Sequence, residues 1–422
     1  MAITSIHIGN FKGINEEVGI EIKPITVFIG PNSSGKSSCI HALACLSQTV
    51  KVTNDTRPLI LDDEFANVHL GRFIEVIHSK SYQDRITLGI SSEDASYFEA
   101  TETGQAVKKT GPCKALYRFK CTKRTQDLHL ESADITIKDH GYQVKQSKES
   151  KDLYNVAHLQ SGTKTASALE AAFFVDRQSL IRAASSSRKD HFNYYPLYGF
   201  QNTLKSELSN TFYLGPFRKA PLRRYATRGS SPIEVGPLGE STITLLANES
   251  VQTSARTHIK QIASWLSLLG LAKTFDVSRI ARSDLFDVML TLNDGETFPI
   301  ADLGYGLSQV LPVLAQCSFA PENSTLMFEQ PELHLHTIAA RKLASVFSQT
   351  VKRKKCHIML ETHSPELVKE FVNEMRAGRL GPNDLAIYKV TRDDKETKLN
   401  KIEIDAKNDF DIYENWEKGV ST

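Results

Sequence analysis

One short segment limits the possible folds of this chain more than any other. Its residues fit the pattern GxxxxGK[ST] and read Gly30-Pro31-Asn32-Ser33-Ser34-Gly35-Lys36-Ser37. The unbroken run Ile25-Thr26-Val27-Phe28-Ile29 before it is typical of a buried strand, and a helix is predicted after it, from about Lys36 to Leu46. Glycines at such a junction let successive backbone N–H groups face one point, where the helix dipole adds positive charge. The segment therefore predicts a phosphate-binding loop.

The polar residues of this loop indicate which phosphate compound it binds. Lys36 is expected to reach the β- and γ-phosphates of a nucleotide, and the Ser37 hydroxyl to complete the coordination shell of Mg²⁺. We therefore expect ATP and Mg²⁺ as ligands. The predicted nucleotide-binding residues of the loop are Gly30, Pro31, Asn32, Ser33, Ser34, Gly35, Lys36, Ser37 and Ser38.

A second strand, Thr325 to Phe328, ends in a carboxylate. Glu329 follows it directly, and a carboxylate at the end of a buried parallel strand can hold Mg²⁺ through water. Gln330 comes next, at the position of a general base; an amide can orient the attacking water but cannot accept its proton. The alternative is a strand end that merely turns at Pro331.

A third strand end carries a histidine. The stretch Ile358-Met359-Leu360-Glu361-Thr362 runs into His363, which could donate a hydrogen bond to a γ-phosphate and so sense its presence. A lone histidine is usually structural. The position of His363, one strand beyond Glu329, favours the functional interpretation.

Together these residues resemble the ABC-type ATPase heads of the SMC, RecF and OLD group, and residues 3–38 are similar to the N-terminus of that group. The resemblance implies that Leu303 to Gln309 is the signature segment, which covers the γ-phosphate bound by a second subunit. Its candidate phosphate contacts are Gly304, Gly306 and Ser308, and whether Gly304 or Ser308 fills the contacting place is left open.

The same resemblance extends to the second and third strand ends. The stretch from Glu329 to His336 resembles the extended Walker B segment of the OLD-like branch, where a glutamate often stands at the position of Gln330. We therefore expect slow hydrolysis. The alternative is that the general base lies elsewhere, for example at Glu332. By resemblance, His363 is the histidine of the H-loop, and Glu329, Gln330 and His363 form the catalytic set.

Two stretches in the middle of the chain indicate which branch of this group the chain resembles. The stretches 212–218 (FYLGPFR) and 235–240 (VGPLGE) look like prokaryotic OLD-like ATPases, which include subunits of anti-phage systems of the Septu, PARIS and retron type. The resemblance implies a homodimer that sandwiches ATP head-to-tail, with higher oligomers left open. It also implies a sensor or regulator that controls a separate nuclease or toxin.

The expected fold is α/β: a P-loop ABC-type ATPase head with a mixed sheet, an antiparallel β portion and an inserted, largely helical lobe. Strand–helix alternation in the last third of the chain predicts the mainly parallel sheet. Short alternating segments between polar turns predict the antiparallel portion. The predicted segments are 1–80 with the first part of the head, 81–160 with the antiparallel portion, 161–284 with the lobe and 285–422 with the rest of the head.

Charge and composition limit the partners. Lys+Arg of 51 against Asp+Glu of 49 gives a net charge of +2, which argues against a strongly basic nucleic-acid coat. The densest local cluster could contact nucleic-acid phosphates or a partner nuclease, or it could be a solvated loop or pair with acids inside the lobe. It comprises Arg218, Lys219, Arg223, Arg224 and Arg228. No apolar run reaches the ~20 residues that a membrane helix needs. Six irregularly spaced cysteines without a CxxC pair predict reduced thiols and a cytoplasmic protein.

Two absences and two alternatives complete the hypothesis. No sustained heptad pattern lies between Ser37 and Leu303, unlike the long arms of SMC proteins. The chain ends about sixty residues after His363, so we expect any nuclease on another chain.

Two other functions are alternatives to a regulator of a nuclease or toxin. One is a DNA-repair ATPase of the RecF kind that binds DNA directly, and the other is an ATP-gated scaffold with little turnover. His334 and His336 could form a metal pair, but no further ligands accompany them.

Overall fold

The computed structural model describes residues 2–52, 57–101, 105–183, 192–227, 232–281 and 283–404. The strands, numbered in chain order, are β1 (Ser5–Gly9), β2 (Val18–Glu21), β3 (Ile25–Ile29), β4 (Ile86–Ala100), β5 (Ala106–Cys121), β6 (Leu128–Ile137), β7 (His140–Gln146), β8 (Tyr154–His158), β9 (Lys164–Ser167), β10 (Leu169–Ala171), β11 (Phe174–Val175), β12 (Thr211–Leu214), β13 (Tyr225–Ala226), β14 (Thr274–Arg279), β15 (Leu285–Thr291), β16 (Thr297–Pro299), β17 (Thr325–Glu329), β18 (His357–Glu361), β19 (Leu385–Asp393) and β20 (Glu396–Ile402).

Two helices of the second half of the chain begin at a side chain that caps them, His336 and Ser364. Ser364 caps the last of them, since its Oγ accepts a hydrogen bond from the Leu367 amide at 3.2 Å, and Pro365 fills the first position. The helices are α1 (Lys36–Lys51), α2 (Phe73–Val76), α3 (Arg177–Ala183), α4 (Tyr195–Ser209), α5 (Thr242–Gln252), α6 (Thr257–Leu269), α7 (Tyr305–Phe319), α8 (Thr337–Lys354) and α9 (Pro365–Arg376).

The chain divides into two compact units, each discontinuous in sequence. The first unit comprises 1–22, 38–211 and 392–398. Its antiparallel sheet has the order β2-β1-β4-β5-β6-β7-β8-β9. Alternate residues of β5 face the core of this unit, namely Cys113, Ala115, Tyr117, Phe119 and Cys121. Helix α4 packs against β4 at Gly199, where a Cβ would lie 2.7 Å from the Phe98 amide nitrogen.

Within the described residues, the second unit comprises 23–37, the part of the chain from 212 to 391, and 399–404. Its main sheet has the order β12-β17-β18-β3-β19-β20. Strands β17, β18, β3 and β19 are parallel neighbours, and every residue of β3 and β17 is buried. Because parallel strands end at one edge, the loop after β3 and the residues that end β17 and β18 meet there.

The structure confirms the α/β fold with a mixed sheet and an antiparallel portion. The hairpin at Asn293-Asp294-Gly295 joins β15 to β16, and Gly270 ends α6 with a left-handed φ of 75°. Two features differ from expectation. Strands β4 and β5 are 15 and 16 residues long, because an irregularity between Ser92 and Ala95 lets the pairing continue. The segment 161–284 contains strands as well as helices.

The remaining expectations concern organisation and environment. The boundaries of the two units do not coincide with those of the four segments predicted from the sequence. The four-segment division remains a proposal. The polar run Ser185-Ser186-Ser187-Arg188-Lys189 lies outside the described residues. All six cysteines are free and buried. Within the described ranges, no helix is both long and apolar enough to cross a bilayer.

Candidate functional site

The loop between β3 and α1 curls around a buried lysine. Its backbone takes positive φ at Gly30 (146°), Ser33 (60°) and Gly35 (104°). Glycine is required at the first position, since a Cβ on Gly30 would lie 2.0 Å from the carbonyl oxygen of Val390. Lys36 is 4% exposed, and its Nζ donates to the carbonyl oxygens of Gly30 at 3.1 Å and Pro31 at 2.8 Å.

Lys36 is therefore a cation held in place before any phosphate arrives. Burial lowers the pKa of Lys36, and the carboxylates of Glu361 and Glu332 oppose that shift. Among the described residues, the hydrogen bonds of this ammonium go to backbone carbonyls, while the two carboxylates act on it through their charge. The loop is thus arranged to receive a phosphate. Ser38, the last predicted residue of the loop segment, is the third residue of α1 and is buried.

Two carboxylates end neighbouring strands beside this loop. Glu329 ends β17, Glu361 ends β18, and the two are paired in the sheet register. Ser37 Oγ donates to Glu361 Oε2 at 2.6 Å, and Tyr213 Oη donates to Glu329 Oε1 at 2.6 Å. Burial, and then the charge of Glu329, raise the pKa of Glu361 to about 7. The two carboxylates repel each other, and a cation bound between them would relieve this repulsion.

This donor set fits Mg²⁺. The ion takes hard oxygen ligands, keeps several waters, and commonly uses only one or two carboxylates together with the phosphates of its nucleotide. Ser37, Glu329 and Glu361 supply a hydroxyl and two carboxylates at one sheet edge. In the described part of the chain, no three His, Cys, Asp or Glu side chains form an all-protein metal cage. A metal here would accordingly depend on the nucleotide as well.

A buried arginine fixes the turn after β17. Arg218 is 7% exposed, and its guanidinium donates to the carbonyl oxygens of Glu329 at 2.8 Å and Gln330 at 3.1 Å. Burial lowers the pKa of Arg218 to about 10, against the charges of Glu332 and Glu329. Gln330 itself has a left-handed φ of 46°, and its amide donates to the Glu361 carbonyl at 3.0 Å. The turn is thus held from both sides.

We expect Arg218→Met to lower the free energy of unfolding by about 2–4 kcal/mol, because two buried carbonyls lose charged donors. Arg223→Met is the matched control on the same segment. Its side chain is 71% exposed and pairs only with Asp302, and exposed pairs contribute about 0.2–1 kcal/mol. Urea titration of both variants measures the difference. Equal losses in the two variants would contradict this role of Arg218.

The histidine loop is held by a glutamate. Glu332 Oε1 accepts hydrogen bonds from Thr362 Oγ1 at 2.6 Å and from the His363 amide at 3.0 Å. Burial, then the charge of Lys36, lower the pKa of His363. Its imidazole is therefore neutral at neutral pH and can donate one hydrogen bond to a phosphate. Burial raises the pKa of Glu332.

The signature segment exposes one of its two candidate contacts and buries the other. Gly304 precedes α7, is exposed, and has no atom within 4 Å of the position of a Cβ. Ser308 is buried, and its Oγ donates to the Tyr305 carbonyl at 2.8 Å. Gly306 lets the helix approach the next loop, since a Cβ there would lie 2.7 Å from the His334 carbonyl oxygen. This geometry favours Gly304 as the contact.

The other clusters found in the sequence have structural explanations. Arg218 is buried, Arg223 pairs with Asp302, and Arg228 lies outside the described residues, which leaves Lys219 and Arg224 exposed. His336 caps α8, with its Nδ1 accepting from the Ile338 amide at 3.4 Å. A metal pair with His334 therefore has no support.

Sequence reasoning missed three residues of this site: Tyr213, Arg218 in its structural role, and Glu361. It named Glu332 as another place for the general base, but not the hydrogen bonds by which Glu332 holds the histidine loop. Glu361 had a usable signal, since it ends a strand as Glu329 does. Tyr213 and Arg218 had none, because they reach the site from more than a hundred residues away in sequence.

Comparison with known proteins agrees with this geometry. Residues 1–368 match the AAA ATPase domain family. The chain belongs to that family. This AAA ATPase is 20% identical over 409 residues to the OLD nuclease of Thermus scotoductus, a match covering 94% of this chain and 66% of the relative. The chain thus spans slightly less than two thirds of that relative. The resemblance to the SMC, RecF and OLD group is confirmed.

Solved structures similar to this AAA ATPase include SMC heads. The SMC head domain from Thermotoga maritima has a TM-score of 0.43 and 11% identity, over 96% of this chain and 100% of that chain. The Smc head domain with an extended coiled coil, bound to the C-terminal domain of ScpA and derived from Pyrococcus furiosus, has a TM-score of 0.44 and 9% identity. The match covers 95% of this chain and 96% of that chain.

Proposed function

We propose that this AAA ATPase binds ATP with Mg²⁺ at the edge of its parallel sheet and hydrolyses it slowly. The observation that carries the proposal is the meeting of the buried Lys36 loop with the Ser37 hydroxyl and two strand-end carboxylates. Lys36 binds and neutralises the terminal phosphates. Mg²⁺ would be held by Ser37, Glu329 and Glu361, and supplies charge neutralisation to the phosphates when bound. Neutral His363 hydrogen-bonds the γ-phosphate.

Slow turnover follows from Gln330, which can orient water but cannot take its proton. The same residue supports a second candidate, an ATP-gated scaffold that changes assembly on binding and hardly hydrolyses. Phosphate release by the purified protein separates the two. Release that depends on ATP and Mg²⁺ supports the ATPase, and ATP binding without release supports the scaffold.

We propose further that two chains sandwich two ATP molecules head-to-tail, the loop of one facing Gly304 of the other. Exposed apolar side chains support this: Tyr305, which follows Gly304, is 66% exposed, and Ile338, in the first turn of α8, is 60% exposed. Such an isologous contact would depend on the γ-phosphate. Light scattering after gel filtration with ATP, ADP or no nucleotide tests it.

We also propose that the ATP-dependent state controls a separate nuclease or toxin in bacterial anti-phage defence. Similarity to a protein named OLD nuclease, matched over 66% of its length, supports a link to nucleic-acid cleavage. Direct DNA binding of the RecF kind has less support, since Arg218 is buried and Arg223 is paired. Co-purification with the products of neighbouring genes tests the proposal. A nuclease or toxin that joins the complex supports defence, and recovery of replication proteins supports repair.

A further inference from the structure

One carboxylate oxygen of Glu332 accepts hydrogen bonds, and the other accepts none from the described residues. Its Oε1 accepts from Thr362 Oγ1 at 2.6 Å and from the His363 amide at 3.0 Å. Its Oε2 is shielded from solvent and has no hydrogen-bond partner among the described residues. A buried carboxylate oxygen left without a donor costs about 1–3 kcal/mol or more, so such an atom usually has a ligand or a reaction to serve.

Gln330 does not compete for that role. Its backbone is fixed at both ends, by the Glu361 carbonyl and the Arg218 guanidinium, but its side chain makes no hydrogen bond with the described residues. An amide is also not basic at any pH that a protein tolerates. The carboxylate of Glu332 is both basic and oriented.

The contacts of Glu332 join it to the loop of His363, the predicted γ-phosphate sensor. The carboxylate raises the pKa of Lys36 through its charge, and Lys36 is the residue whose Nζ sits between the loop carbonyls. Glu332 also holds the amide of His363, the residue expected to contact the γ-phosphate. If His363 contacts the γ-phosphate as predicted, the free Oε2 of Glu332 belongs to the same loop cluster as the attacking water.

We propose that Glu332, in place of Gln330, accepts the proton of the attacking water; this rests on the proposed ATPase function. The water oxygen forms a bond to the γ-phosphorus, and the bond from that phosphorus to the β–γ bridging oxygen breaks. ADP leaves with the electron pair of the bridging oxygen. One water proton moves to Glu332 Oε2 and from there to solvent, and the other stays on the phosphate product.

The first test is Glu332→Gln, which keeps an Oε1 acceptor for Thr362 and His363 but removes the basic oxygen. We expect the rate of phosphate release to fall at least ~100-fold. Affinity for a fluorescent ATP analogue should stay within about twofold, because the groups that bind phosphate are untouched. The proposal would be overturned if Glu332→Gln released phosphate at more than half the rate of the natural protein. It would also be overturned if the variant lost affinity for the analogue by the same factor as it lost rate.

The second test is chemical rescue, which a purely structural role would not show. Glu332→Ala leaves a space of the right size for formate, whose carboxylate can take the proton. We expect formate to raise phosphate release by Glu332→Ala at least about fivefold, while chloride at equal ionic strength does not. No rise with formate, or an equal rise with chloride, would overturn the assignment.

Two controls separate this proposal from the function it rests on. The thermal unfolding midpoints of both variants must match the midpoint of the natural protein. If Glu332→Ala is less stable, the test rests on Glu332→Gln alone. If the natural protein binds ATP but releases no phosphate, both the ATPase function and the role of Glu332 are wrong. If the natural protein turns ATP over and Glu332→Gln does so equally, only the role of Glu332 is wrong.

Discussion

Lys36→Ala is expected to abolish ATP binding at micromolar concentrations and with it every ATP-dependent property of the chain. The variant removes a buried cation whose Nζ lies among the loop carbonyls, where the terminal phosphates would sit. Truncating one partner of a buried charge pair costs about 2–5 kcal/mol, which is roughly a 30- to 4,000-fold loss of affinity. Titration with a fluorescent ATP analogue measures this loss.

The same variant tests the dimer. Since the proposed sandwich needs the γ-phosphate, Lys36→Ala should stay monomeric with ATP in light scattering. Lys273→Ala, an exposed lysine in the same unit, is the matched control and should behave as the natural protein. ATP-dependent dimers of Lys36→Ala would refute the head-to-tail arrangement, whereas unchanged analogue binding would refute the assignment of the loop.

Glu361→Gln is expected to weaken Mg²⁺ binding about 10- to 100-fold in the presence of a non-hydrolysable ATP analogue. Glu361 accepts the hydrogen bond of Ser37, the residue predicted to ligate the ion, and lies opposite Glu329 in the sheet. The variant removes one of two negative charges that face the metal. Calorimetric titration with Mg²⁺, or electron paramagnetic resonance with Mn²⁺, measures binding without relying on turnover.

Two measurements sharpen this test. Without metal, the ATP analogue should bind Glu361→Gln as well as or better than the natural protein, since repulsion of the phosphates falls. Glu296→Gln changes an exposed glutamate of the same unit and should leave Mg²⁺ binding unaltered. Natural Mg²⁺ affinity in Glu361→Gln would exclude Glu361 from the metal site.

The metal-free protein should also lose stability as the pH rises. Burial and the charge of Glu329 raise the pKa of Glu361 from 4.5 to about 7, so the folded state binds a proton that the unfolded state releases. The stability that this proton supplies is complete below about pH 4.5 and is lost as the pH passes 7. Urea unfolding at several pH values should show the decline in the natural protein and a flatter profile in Glu361→Gln.

Much of this architecture was predictable because its signals are local. The GxxxxGK[ST] spacing, the buried runs of β3 and β17 and the carboxylate after β17 lie within short stretches. The length of β4 and β5 was not predictable, because pairing of long strands depends on partners distant in sequence.

The candidate site was only half predictable for a related reason. Glu361 could be found by its strand-end position, but the hydrogen bond from Ser37 joins residues 324 positions apart. Arg218 looked like one member of a basic surface cluster, and only its burial against the turn after Glu329 gives it a structural role.

The sequence alone determined that this chain has a GxxxxGK[ST] loop, a strand-end carboxylate and a histidine after the next strand. It did so because each feature is a fixed spacing on one strand–loop element. The tertiary structure decided which groups surround the phosphate position. Parallel pairing of β17, β18 and β3 brings their ends to one edge. Burial there raises the pKa of Glu361, and Glu332 Oε2 has no donor among the described residues. Neither register nor burial can be read from a single stretch of chain, because both arise from contacts between distant segments.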